Sequence, residues 1–358
     1  MTPRDRLLAI VVAITWGLNF PAIHLTLEQF PPFLAVALRF SLLAVPTLLL
    51  VPRPSAPWRW VLLYGTGFGV LQFVFLYGAI DAGMPTGLAS LVLQSSAPFT
   101  VVLAAAFLRE HVSPRRAVGV LVAVVGLAGI AVHRAGLDGG ATLVPVLLTL
   151  CAGLGWSVGN LGNRLAMQAS PHEPLRLMLW MSVIPPLPLL VLSLTLEGPG
   201  RIAASFDGLT SPTGLAALGG LAFTVLVGTL GGSGLWTSLM SRYPAGVVAP
   251  FSMLVPVIGI GSSWLLLREP TAPAELAFGA LVVGGVLLGS VAPARRPQPA
   301  EGGTSGVVDA GAGTTSAVAI AATPSPRPVS PSPSVVVAET VTGPPAAADS
   351  ASWASPRR

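Results

Sequence analysis

Read from its first residue, the chain alternates long apolar runs with short polar interruptions. Ten runs stand out, at approximately 7–24, 33–51, 60–80, 86–108, 117–133, 142–164, 175–196, 213–238, 245–267 and 274–292. Each is long enough to cross a hydrocarbon core about 30 Å thick as a helix. A spanning segment must be helical, because unpaired backbone groups in lipid cost several kcal/mol each. The pattern therefore predicts an all-α polytopic membrane protein with ten transmembrane helices. Clusters of Pro, Gly, Ser or Asp between the runs, such as Glu28 to Pro32, Pro52 to Pro57 and Glu197 to Arg201, read as loops.

Beyond Pro297 the pattern stops. Residues 297–358 are rich in Pro, Ala, Ser, Thr and Gly without periodicity. This composition predicts a disordered cytoplasmic tail, a solvated extension of the membrane-embedded core.

Composition agrees with the hydropathy. Of the 358 residues, 53% are hydrophobic and 9% charged, against about a quarter charged in a soluble domain. The lipid bilayer is the expected solvent. The net charge of +5 does not point to nucleic acid, because the arginines lie singly or in pairs between apolar runs rather than in one stripe. They act instead as topology signals. With the N-terminus inside, Arg4, Arg6, Arg53, Arg59, Arg109, Arg115, Arg116, Arg164, Arg176, Arg242, Arg295 and Arg296 all fall on the inner side. Only Arg134, Arg201 and Arg268 fall outside. Positive loops stay in the cytoplasm, so a multi-pass cell-membrane protein with both termini cytoplasmic is predicted. Arg4 and Arg6 before the first run imitate a signal peptide, but Trp16 and Asn19 interrupt the run, which reads as the first span. The single cysteine, Cys151, rules out an internal disulfide and a cysteine-based metal site, and reads as a small packing residue. No cofactor or metal is expected.

The two halves of the chain resemble each other. Aligned without gaps, Pro85 to Glu110 and Pro244 to Glu269 match at Pro85/Pro244, Gly87/Gly246, Leu108/Leu267, Arg109/Arg268 and Glu110/Glu269. Pro98 and Pro256 lie one position apart, Pro114 faces Pro273, and Trp16 corresponds to Trp156. Each half contains five spans, an odd number, so the second copy must be upside down relative to the first. The expected organisation is a first five-helix repeat at 1–136, a second, inverted one at 137–296, and the tail.

Several stretches carry a family resemblance. Thr15-Trp-Gly-Leu-Asn-Phe20, Phe30-Pro-Pro-Phe-Leu-Ala-Val-Ala-Leu-Arg-Phe40, Gly83-Met-Pro-Thr-Gly-Leu-Ala-Ser-Leu-Val-Leu-Gln94 and Pro250-Phe-Ser-Met-Leu-Val-Pro256 together resemble the EamA family of the drug/metabolite transporter superfamily. The resemblance covers residues 5 to 292. It implies a ten-helix secondary transporter that moves amino-acid-like metabolites, cysteine and O-acetylserine among them, out of the cytoplasm. It further implies a central cavity between spans 1 to 4 and 6 to 9, with spans 5 and 10 behind for packing or homodimer contacts. One departure is plain: the pair ending spans 4 and 9 is commonly Gly-Glu in the family and is Arg-Glu here, in both halves.

Polar residues inside spans are costly and are the first candidates for a substrate site. Trp156, Asn160 and Asn163 share one face of span 6, and Trp16 and Asn19 are neighbours on span 1. Aromatic and amide side chains on repeat-related helices would offer donors and acceptors to a zwitterionic small-molecule substrate. Interhelical hydrogen bonding is the competing reading. Gln72 of span 3 and Gln94 of span 4, with Ser90 on the same face, must point inward. Met253 and Ser252 of span 9 lie near the level repeat-equivalent to Gln94, although methionine serves packing as readily. Arg39, about six residues or roughly 9 Å into span 2, is expected to snorkel to the interface, with a role in attracting a carboxylate as the alternative. His24 reads as a solvated residue at the outer end of span 1. Glu110 and Glu269 fall at helix ends just before Ser113-Pro114 and Thr271-Ala-Pro273, which read as caps for the next helices, so both acids read as structural. No acid falls at mid-membrane depth, so no buried carboxylate relay is visible. An integral-membrane enzyme would need paired ionisable residues or metal ligands on one helix face, which the spans do not provide. A polyanionic cargo would need several cavity arginines. A different neutral solute or a drug remains the alternative cargo.

Overall fold

The structure, a computed structural model, describes residues 1–136, 143–243 and 245–290. The expected tail at 297–358 lies outside the described residues. Among these there are helices and no strands. In chain order the helices are α1 (Pro3–Leu27), α2 (Pro32–Leu50), α3 (Trp58–Asp81), α4 (Thr86–Leu108), α5 (Pro114–Ala135), α6 (Leu143–Ala169), α7 (Pro174–Ala204), α8 (Pro212–Arg242), α9 (Pro250–Leu267) and α10 (Pro273–Ser290). The first nine are long and apolar enough to span a bilayer, and α10 is apolar but shorter. The protein is an all-α polytopic membrane protein.

Proline sets many of the starts. Pro3, Pro32, Pro114, Pro174 and Pro212 stand in the first turn of their helices, where a missing N–H costs nothing. Thr2, Ser113 and Ser211 cap three of these, accepting from the backbone N–H of Asp5, Arg116 and Gly214. One predicted loop is helical instead. After a break at Ser182–Pro185, α7 runs through a π-helical turn at Ser193–Glu197 and continues as Gly198–Ala204, with Gly198 at φ +80°. Glu197 is drawn inward there: its carboxylate accepts from Phe33 N at 2.6 Å, Leu34 N at 3.1 Å and the Ser193 hydroxyl at 2.6 Å. An acid that punctuates the sequence thus caps α2 from a distant helix.

Helices pair across the two halves of the chain. α1 lies against α8 and α9, α6 against α3 and α4, and α2, α4 and α5 against α7, α9 and α10. Exchanging every helix with the one five places along leaves this set of pairs unchanged. Small residues permit the close approaches. A Cβ on Gly67 of α3 would lie 2.2 Å from the Gly159 nitrogen of α6, and one on Gly119 of α5 would lie 2.5 Å from the Gly285 oxygen of α10. Apolar side chains such as Leu49, Phe107, Leu121 and Leu265 cover the outside. Cys151 belongs to that outer surface, not to the packing expected of it. The inward face of α6 is taken by Ala152, Gly153 and Gly155, and 151 therefore faces away.

Candidate functional site

Among the described residues the helix pairs surround a central cavity of about 510 Å³. Its lining runs from exposed His111, Val112 and Arg116, at the end of the bundle that carries the N-terminus, to buried Phe20, Arg39 and Leu76 toward the opposite end. The cavity is therefore open at the first end and closed at the second.

Of the residues singled out in the sequence, Trp16, Asn19, Gln72, Gln94, Trp156, Asn160, Asn163 and Met253 line it, as do Ser90, Ser252, Arg39 and Glu110, whereas His24 and Glu269 do not. Trp16 donates through Nε1 to the Gly228 carbonyl at 3.2 Å and packs against Trp236 with ring centroids 5.1 Å apart. Trp156 meets Phe68 edge to face, with centroids 5.9 Å apart. Asn160 donates to the Thr100 hydroxyl at 3.2 Å. Gln94 and Met253, aligned positions of the two halves, meet in the middle, with Gln94 Nε2 3.7 Å from Met253 Sδ. A residue that touches its own counterpart sits where a two-fold axis between the halves would pass.

Backbone irregularities expose these groups. Gln94 belongs to a tight 3₁₀ turn, Leu93–Ser95, and Met253 ends another, Ala249–Met253. α3 and α8 each widen into π-helical segments, Gly65–Leu71 and Phe223–Ser233. Such turns shift side-chain direction and recur at functional sites. Three polar atoms in this region, Asn19 Oδ1, Gln72 Oε1 and Ser95 Oγ, are buried without a hydrogen-bond partner. An unsatisfied buried acceptor is costly, which favours a donor that arrives from outside the chain.

Sequence reasoning misplaced Arg39. It is 4% exposed and does not snorkel. Its Nε and Nη2 donate to Thr229 Oγ1 at 3.2 and 2.8 Å, its Nη1 donates to the Tyr77 hydroxyl at 3.2 Å, and its guanidinium lies 4.3 Å from the Phe73 ring centre. Thr229 is presented by the π-helical segment of α8, where its hydroxyl donates to the Thr224 carbonyl five residues back. No hydropathy pattern signals a π-helical turn, so this partner was invisible beforehand. Tyr64, Phe68, Phe73 and Trp236 also line the cavity, and their aromatic character was the only available hint.

The two repeated acids take different partners, while Ser113 caps α5 as its place before Pro114 predicts. Glu269 accepts from Thr86 N at 2.7 Å, Thr86 Oγ1 at 2.9 Å and Gly87 N at 3.4 Å, so it caps α4. Glu110 instead pairs with Arg164 of α6 at the open end. The helices that follow have their own caps in Ser113 and, at α10, Glu275, whose carboxylate accepts from Ala272 N at 3.1 Å. His24 stands as expected, part-exposed and 3.7 Å from Glu28. No cluster of three or more metal-ligating side chains occurs among the described residues.

The pattern of the EamA-like transporter family matches the chain twice, at residues 6–132 and 143–291. The chain belongs to the EamA-like transporter family. This EamA-like chain is a membrane transporter, not an enzyme. A protein of Salmonella typhimurium named as a probable amino-acid metabolite efflux pump is 38% identical over 290 residues, 80% of this chain and 95% of that one. Its namesake in Escherichia coli K12 is 36% identical over the same shares. A crystal structure with 20% identity aligns at a TM-score of 0.53 over 80% of this chain and 96% of its own, a likeness of fold.

Proposed function

We propose that this EamA-like transporter exports small zwitterionic, amino-acid-like metabolites across the inner membrane by alternating access, with cysteine, O-acetylserine and related amino acids as the cargo class. The observation that carries the reading is the inner wall of the cavity: apart from Arg39 its polar groups are neutral amides, hydroxyls and indoles from α1, α3, α4, α6, α8 and α9, with unpartnered acceptors among them, while Glu110, Arg116 and Arg164 stand at the mouth. Such a surface suits a solute with both donors and acceptors and no large net charge. The names of the similar proteins from Salmonella and Escherichia coli point to the same class.

In this reading residues 1–136 and 137–296 are two inverted five-helix repeats that rock about the cavity, and 297–358 is a cytoplasmic tail. Arginine placement supports a cytoplasmic side for both termini, and with it for the open end. The conformation is then inward-facing, ready to load. Closing the open end would carry Glu110 from Arg164 to the first turn of the segment before α9, as Glu269 now caps α4.

Cells overexpressing the protein and loaded with labelled cysteine, O-acetylserine, glutamine and phenylalanine test the proposal. Faster efflux of at least one is expected, reduced in Asn160→Ala and Gln94→Ala at normal membrane abundance. Unchanged efflux of every amino acid would sink it.

A further inference from the structure

Arg39 is a cation without an anion. It is buried, and its hydrogen bonds go to two neutral hydroxyls, those of Thr229 and Tyr77. No carboxylate stands within ion-pair distance of it among the described residues. A buried charge is normally paired, because leaving water is costly and neutral partners recover only part of the loss. An ionisable residue within a span, facing a cavity rather than lipid, is retained for a ligand more often than for packing.

The geometry leaves room for one. The guanidinium makes three hydrogen bonds through three nitrogens, fewer than its fork of N–H groups supplies, and Arg39 lines the cavity near its closed end. The Phe73 ring, stacked at 4.3 Å, holds the plane of the fork in place. Thr229 and Tyr77 fix it from α8 and α3, so the donors are oriented before anything binds.

We infer that Arg39 is the carboxylate-binding residue of the transport site, and that the cargo must carry a free carboxylate beside its ammonium group. This inference rests on the exporter reading above and narrows it. A planar guanidinium matches a planar carboxylate, and the pair would be neutral in a buried site. The unpartnered acceptors Gln72 Oε1 and Asn19 Oδ1 then take the ammonium protons. The indole of Trp16 also lines the cavity. A phosphate-bearing cargo fits poorly, because its second charge would have no partner near Arg39. The other cavity arginines, Arg116 and Arg164, stand at the open end, and Arg164 already holds Glu110.

The test compares acids with their amides on the full-length protein in nanodiscs. L-phenylalanine and L-cysteine are measured against L-phenylalaninamide and L-cysteinamide for displacement of a labelled amino acid. Measured at about pH 6, below the α-ammonium pKa of about 7.7 expected beside an amide, the amides keep the ammonium and side chain and lose the anion. They are expected to bind at least about tenfold more weakly, the scale of a charge-assisted hydrogen bond. Arg39→Gln should erase that preference by weakening the acids alone, and Arg39→Lys should restore part of it. Equal binding of acid and amide by the unmodified protein overturns the inference while leaving the exporter reading intact, and it decides the matter even if Arg39→Gln fails to fold. Equal weakening of acid and amide in a folded Arg39→Gln assigns Arg39 to packing and also overturns it. Absence of binding by any amino acid removes the exporter reading and this inference together.

Discussion

The two Arg-Glu turns are copies of one another with different fates. Arg109 and Arg268 adopt the same left-handed conformation, at φ 53° and 55°. In both turns the glutamate N–H reaches the carbonyl six residues back, Ala104 at 3.4 Å and Ser263 at 3.3 Å. Beyond the backbone the likeness ends. Glu269 reaches across to α4 and satisfies its first N–H groups, and Thr86 adds a 2.6 Å hydroxyl contact to Ser263 of α9. Glu110 turns to Arg164 beside the cavity mouth. The same short sequence thus builds the same turn twice, and the state of the bundle chooses the partner of each acid. One end is stitched through helix N-termini, where a carboxylate is doubly favoured by unpaired N–H groups and the helix dipole. At the other end the matching acid makes only a half-exposed ion pair, which is worth little.

Breaking the stitched end should give the largest effect. Glu269→Ala strands two backbone donors and a hydroxyl, so stability in detergent should fall by about 1–3 kcal/mol, and efflux should drop below about a tenth of normal, a change of about 1.4 kcal/mol or more in the barrier. A melting curve and an efflux assay at matched membrane abundance check both, and full activity would show that the cap does not secure a closed state. Glu110→Ala separates the two roles more sharply. Its ion pair with Arg164 should account for less than about 1 kcal/mol of stability, yet efflux should fall several-fold if Glu110 caps the other end during the cycle. Unchanged efflux would leave Glu110 as a surface charge.

Labelling compares the ends directly. In a Cys151→Ser background, Thr86→Cys at the closed end should resist a maleimide, since Thr86 is fully buried, whereas Val112→Cys at the cavity mouth should react. Adding Glu269→Ala should make the first site reactive. If both sites react equally in the unmodified protein, the open and closed ends have been misassigned. The turns themselves should behave alike: Arg109→Gly and Arg268→Gly each relieve a left-handed residue and should each stabilise by up to about 1 kcal/mol. Unequal shifts would show that the arginine side chains, not the backbone, distinguish the ends.

The smallest effect concerns pH at the open end, where Ser55 and Glu173 join the loops before α3 and α7. The Ser55 backbone N–H, its hydroxyl and then Arg176 hold the Glu173 carboxyl below its ordinary value of 4.5. A depressed folded value means that the contact contributes fully above 4.5, the unfolded value, and is lost as pH falls through the folded one. Melting temperatures between neutral and acid pH should therefore decline less in Glu173→Gln than in the unmodified protein. Parallel declines would mean that other carboxylates control the acid limb.

Much of the cavity was legible because polar side chains inside apolar helices have nowhere else to go. Trp156, Asn160 and Asn163 share a face by helical spacing alone, and that face lines the cavity. Arg39 was misread because distance along a helix measures depth and says nothing of rotation toward a neighbour. Its partner Thr229 depends on a π-helical segment, which leaves no periodic trace. The contact of Glu269 with the start of α4 was invisible because a sequence shows only local neighbours.

Helix number, helix order and the repeat were determined by the sequence itself, since hydropathy in lipid is a one-dimensional constraint and each span satisfies its own backbone. The tertiary structure alone decided which acids meet which helix ends, which end of the cavity is closed, and that a buried arginine faces that cavity without a counterion. Those outcomes depend on contacts between residues far apart in the chain, and on which of two packings the same helices adopt.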